Sequence, residues 1–136
     1  MDMEGALRAR LLAAAPIAAR VAQRVSWVER PQATGLPAIT LLNVTDERTQ
    51  NFTGFDGLQP GYVQADVWAR TYAEAKAIKE AIIGTDTAPG AIVPAGTFFG
   101  IRFTRAFVTA RDLSEQTDTV FIFRPSIDLT FHYSPA

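Results

Sequence analysis

Residues 63 to 82 read VQADVWARTYAEAKAIKEAI, and they hold two different periodicities with no loop between them. In the first half Val63, Ala65, Val67 and Ala69 point one way, while Gln64, Asp66, Trp68 and Arg70 point the other, which is the period of a half-buried strand. In the second half Tyr72, Ala75, Ile78 and Ile82 recur at helical spacing and predict a buried stripe. Thr71 and Glu74 have the spacing of a capping box, in which each side chain accepts the other's backbone amide. Gly84 supplies the stop. A strand that turns directly into a capped helix must lay that helix back over its own sheet. The joint sets the frame for the rest of the chain.

The remaining segments fit an α+β domain. Residues 3 to 15 predict a helix with Asp2 as N-cap, an apolar stripe of Leu7, Leu11 and alanines, and Arg8 and Arg10 facing elsewhere. Pro16 ends it or opens a second short helix, with Ile17 and Val21 on one face. Strands are predicted at 24–29, 38–44, 63–70 and 97–110, the last with Phe99, Ile101 and Phe103 on one face and a bulge near Arg105 where the alternation slips. A closing strand runs from about 119 to 133, with Pro125 in an inward slot that requires a bulge or an exposed edge. Clean alternation predicts a mainly antiparallel sheet of four to five strands, with the N-terminal helix and one central helix on one face. A length of 136 residues fits a single domain, 1–136, with flexible loops at about 45–60 and 84–97. The first loop carries Phe52, Phe55 and Leu58, more apolar matter than a plain disordered segment holds.

Composition narrows the chemistry. Thirteen basic and 14 acidic residues leave a formal charge of −1, far from the basic balance of avid nucleic-acid binders. The chain has no cysteine, which removes disulfides, thiolate nucleophiles and thiolate metal ligands together. LLAAAPIAARVA has the look of a leader core, but Asp2 and Glu4 stand where positive charge belongs. His132 is the only histidine; it shares a strand face with Asp128, but ~13 Å of strand separates them, too far for a dyad. Asp112, Glu115 and Asp118 lack the ligand ladder of a calcium loop. Gly54-Phe55-Asp56-Gly57 is followed by no lysine and no helix, so it does not cradle phosphate. No catalytic, cofactor or metal residue is assigned. Contact features are better represented: Trp68 lies on the polar phase of its strand beside Asp66 and Arg70, and Phe52 and Phe55 lie on the polar arm. Tryptophan and arginine anchor interfaces, and aromatics on a projecting arm need a partner surface. The competing reading packs Trp68 under a neighbouring loop.

EGALRARLLAAAPIAARVAQRV at the N-terminus, the LPAITL strand, the 63–82 joint and the closing DTVFIFRPSIDLTFHY together resemble the tail-completion family of long-tailed bacteriophages, prophages and gene-transfer-agent particles. The joint is the most specific part of the likeness; the 45–60 and 84–97 segments carry none of it. The resemblance implies a small α+β virion subunit that caps the tail tube as a hexameric ring, ends tube polymerisation and offers a docking face to the head-tail connector protein. It implies no catalysis, no cofactor and no membrane. Its partners are copies of itself, the tail tube protein and the connector, with assembly in the bacterial cytoplasm. A domain of this size has a radius of gyration of ~14 Å, so six in a ring enclose a hole one subunit wide, roomy enough for a DNA duplex. A near-neutral chain suits a conduit that passes DNA without holding it. Two other readings remain at this stage: a neighbouring head-tail joining protein, and a small-ligand-binding α+β domain.

Overall fold

The computed structural model describes residues 2–28, 35–45, 50–51, 54–55, 58–116 and 121–135. It opens with α1 (Met3–Ala13) and α2 (Ala15–Val21), followed by β1 (Val25–Trp27), β2 (Ala38–Thr45), β3 (Gln50–Asn51), β4 (Gly54–Phe55) and β5 (Gln59–Trp68). Then come α3 (Tyr72–Ile83), β6 (Gly96–Phe98), β7 (Ile101–Phe103), β8 (Phe107–Arg111), β9 (Ser114–Gln116), β10 (Phe121–Phe123) and β11 (Ser126–Pro135). Asp2 caps α1 as its position predicts: its Oδ1 accepts the Gly5 amide at 2.8 Å, satisfying one of the first-turn donors that have no partner inside the helix. Pro16 sits in the first turn of α2, where its missing N–H costs nothing, and Ile17 and Val21 below it are fully buried.

The strand-to-helix joint forms where the sequence placed it. Along β5 the side chains of Val63, Ala65, Val67 and then Ala69 are buried, and the alternate residues are partly open. Thr71 Oγ1 accepts the Glu74 amide at 3.2 Å and starts α3. Among the described residues the return bond from the Thr71 amide to the Glu74 carboxylate is not made, so the cap is one-sided. Ala75, Ile78 and Ile82 are buried against the sheet, each isoleucine contributing about 1.5–3 kcal/mol of burial free energy. Tyr72, expected in that stripe, is 53% exposed, and its ring meets that of Phe123 edge-on at 6.0 Å between centroids. It is the first residue of the helix.

The principal sheet has seven strands in the order β1-β2-β5-β11-β7-β6, with β8 also on β11. β11 and β5 pair antiparallel over their length, from Ser126 opposite Asp66 to Tyr133 opposite Gln59. The α+β class is as expected, but the sheet is larger than four to five strands and not wholly antiparallel: β1 runs parallel to β2, Val25 opposite Ile39. Alternation reports which face a residue occupies and carries no information about strand direction, so the sequence could not distinguish the two pairings. Arg8 of α1 fixes β1 from the helix side, its Nε donating to the Val25 carbonyl at 2.7 Å and its Nη2 to the Gln23 carbonyl at 3.1 Å.

Two predicted strands are interrupted. Residues 97–110 form β6, β7 and β8: Phe99 and Gly100 make a tight turn between Phe98 and Ile101, both with positive φ. Phe99 therefore leaves the face it was expected to share with Ile101 and Phe103, and is 49% exposed while they are buried. Downstream, Phe103 faces Tyr133 whereas Phe107 faces Thr130, so four steps along one strand match three along β11. This is the extra residue anticipated near Arg105, and it explains the slipped alternation. The closing strand breaks at Arg124–Pro125. β10 pairs with β9, yet Ala69 and Phe123 still exchange backbone bonds of 3.0 and 2.8 Å. Pro125 accepts from the Val67 amide through its carbonyl, and no β8 residue lies opposite it to require its missing N–H.

Between the inner face of this sheet and the helices lies one core. Leu7, Leu11, Val21, Ile39, Leu41, Ile78, Ile82, Ile127 and Leu129 fill it. Gly61 lies directly opposite Phe131, whose ring covers it so closely that an added Cβ would meet the ring at 2.5–3.0 Å. Residues between α3 and β6 contribute as well, through buried Ile92 and Val93.

Candidate functional site

The helices cover one face of the sheet and leave the other open. Register places its outward residues in rows across β2, β5, β11 and β8. One row is Thr40, Asp66, Ser126 and Arg111, of which Ser126 is itself buried; the next is Leu42, Gln64, Asp128 and Thr109; a third holds Tyr62, Thr130 and Phe107. Val44 stands beside Tyr62 at the shift in β2 register. The charges form local pairs: Arg111 Nη1 lies 3.7 Å from Asp128 Oδ2, and Arg124 Nη1 lies 3.8 Å from Asp66 Oδ2. Gln64 Nε2 donates to Asp66 at 3.2 Å. Among these paired charges sit uncovered apolar side chains: Leu42 is 43% exposed, Val44 55% and Phe107 73%. Val44, Tyr62, Gln64, Arg111, Asp128 and Thr130 line a shallow groove of about 310 Å³.

Trp68 lies at the end of this face. Its Nε1 donates to Thr40 Oγ1 at 2.9 Å across the β2–β5 ladder, and the Arg124 guanidinium stacks over its ring at 5.3 Å. The ring is thus half-buried among polar partners. Asp66 belongs to the same cluster through Arg124 and Gln64. Arg70 does not: it lies past the strand end, exposed. Phe52 lies outside the described residues, and of Phe55 only the backbone is described, in the short β3–β4 ladder opposite Gln50. Sequence reading missed Arg124, although it occupies the outward phase of the last strand next to Pro125. It also missed Leu42, Val44 and Phe107, because apolar residues on strands read as core.

His132 is exposed, and its backbone amide donates to Thr104 Oγ1 at 2.9 Å. Asp128, its neighbour on the face, is engaged with Arg111. Among the described residues no three His, Cys, Asp or Glu side chains come together as a metal site, and no helix is long and apolar enough to cross a membrane. The open face has the make-up of a contact surface, apolar groups separated by locally neutralised charges.

The family model described as tail completion protein gp17 matches residues 5–122. No curated protein matches the chain. Among solved structures, a chain in the virion of a native gene transfer agent (GTA) particle superposes with a TM-score of 0.58 at 21% identity, covering 97% of this chain and 96% of that one. This likeness establishes a shared fold across both whole chains. The family match takes in most of α1, all of α2, the joint and the strands through β9, and ends before β11. The protein therefore belongs to the tail completion protein gp17 family and is a structural component of tailed phage-type particles.

Proposed function

We propose that this protein closes the tail: copies assemble into a ring, six in number, that caps the finished tube, stops its polymerisation and presents a docking surface to the head connector. The open sheet face carries the proposal. A subunit that works only by contact needs a broad surface on which apolar groups stand exposed among charges that are already paired, and Leu42, Val44 and Phe107 beside Arg111–Asp128 meet that description. Ring closure is heterologous, joining two different patches of neighbouring subunits. One patch is built around Trp68, with Asp66 and Arg70 at its margin. The other half of the contact comes from the arm that carries Phe52 and Phe55, which reaches a neighbour or the tube. DNA passes through the central hole without specific binding. The chain does this work by shape, without a catalytic step.

Native mass spectrometry of the purified protein, alone and with tube protein, tests the proposal. The expected result is a discrete hexamer or a ring seated on tube ends in electron micrographs. A strict monomer that binds neither tube nor connector would overturn it. Particles lacking the protein should show overlong tubes and unattached heads; normal tails with head-completion defects would instead assign it to the head side of the joint.

A further inference from the structure

Arg10 was expected to face away from the apolar stripe of α1, yet it is 4% exposed. It follows Ala6 and Leu7 by one helical turn and so falls on the buried side of α1. Its guanidinium lies 3.9 Å from the centre of the Phe98 ring and 4.8 Å from that of Phe103, and Nη2 donates to the Pro94 carbonyl at 3.0 Å. Nε is buried without a hydrogen-bond partner, and among the described residues no carboxylate pairs with the group. An arginine buried in this way is normally matched by an anion, because desolvating a full charge is costly and stacking on aromatic faces recovers only part of it.

The side chain also lines an open cavity of about 220 Å³, together with Ala13, Ala14, Ala91, Phe98 and Phe99. Phe99 has φ of 52°, a left-handed backbone that a bulky residue seldom adopts, and its ring stands half-exposed at the cavity's rim. A two-residue hairpin turn takes positive φ at both central residues, so the β6–β7 turn itself holds Phe99 in this region and sets its ring at the rim. The cavity thus offers a small apolar vestibule, an aromatic rim and one unneutralised cation at its base.

We infer that this cavity between the end of α1 and the β6–β7 turn is a carboxylate-binding site, which receives an acidic side chain flanked by an apolar residue from a partner protein in the assembled particle. Charge complementarity fixes the acid, and the small alanine walls and Phe99 fix the apolar neighbour. The site is separate from the open sheet face, so it stands whether or not the ring reading holds.

The test uses the full chain, ¹⁵N-labelled, and follows the Arg10 Nε–Hε resonance during titration at constant ionic strength. The probes are sodium phenylacetate, its neutral counterpart phenylacetamide, and the blocked dipeptides N-acetyl-Phe-Glu-amide and N-acetyl-Phe-Gln-amide. Both acids should give a saturable shift in the millimolar range, and each neutral partner should bind about tenfold more weakly or not at all. Ala13→Phe adds bulk to the cavity wall from an exposed position and should abolish the shift; Arg10→Met should abolish acid-dependent thermal stabilisation. Equal binding of acid and amide, binding that survives Ala13→Phe, or no saturable response to either acid would overturn the site. Binding of phenylacetate with none of the glutamyl dipeptide would overturn the partner-protein ligand.

Discussion

Arg10 shows how one side chain can sit in a helix stripe that composition assigns elsewhere. Burial pushes its pKa down to about 10, below the ordinary arginine value, so it keeps its charge throughout the neutral range. Above about pH 10 the unfolded chain holds the proton more tightly than the folded one, and stability rises with pH. Below about pH 10 both states are protonated and the burial cost is constant. Replacing a buried charge that lacks a counter-ion with an apolar side chain of similar length is often neutral or favourable. Arg10→Met should therefore unfold in urea within about 1 kcal/mol of the parent, with a difference that stays flat from about pH 6 to pH 9. Arg10→Ala, which leaves a void under Phe98 and Phe103, should lose about 2–4 kcal/mol. If Arg10→Met were as damaging as Arg10→Ala, the guanidinium would be a stability device and not a charge held ready for a ligand.

At the scale of elements, the strand-to-helix joint decides the architecture, and a single hydroxyl marks its turning point. Because the cap is one-sided, Thr71 carries it alone: Glu74 contributes its amide and not its carboxylate. Thr71→Ala should cost about 1 kcal/mol, while Glu74→Gln should change stability by less than about 0.5 kcal/mol. A chemical-denaturation series on the two variants separates this from a reciprocal box, in which both substitutions would hurt. The interrupted strands teach a related lesson. The β7–β8 bulge moves Phe107 to the outer face while Val108 turns inward opposite Leu129. One inserted residue thus places a phenylalanine in solvent, where the sheet can offer it to a partner.

The molecule as a whole has one covered face and one open face, and the two respond differently to substitution. Phe107 is 73% exposed and Val44 55%, so charge placed there should leave the fold intact, with stability changes of about 0.5 kcal/mol or less. The same change removes the apolar ground on which a neighbouring subunit would rest. The double substitution Phe107→Asp and Val44→Asp should melt like the parent yet fail to form the ring by native mass spectrometry, or fail to attach to tubes. An intact ring in that variant would move the subunit contact off this face, to the sheet edges or the arm.

Sequence alone determined the helix caps at Asp2 and Thr71, the joint, the inward phase of β5 and β11 and the slip near Arg105. Each is a local property, set by residues within a few positions of one another. It also carried the family, because the likeness resides in those same local patterns. It did not determine that β1 runs parallel to β2, that Tyr72 and Phe99 escape burial, or that Arg124 stacks on Trp68 56 residues away in the chain. Those outcomes depend on which segments meet, and periodicity describes faces without naming neighbours. The open face and the Arg10 cation beneath Phe98, which has no carboxylate partner among the described residues, both belong to that second kind: strand order created the first, and the folding of a distant hairpin over α1 created the second.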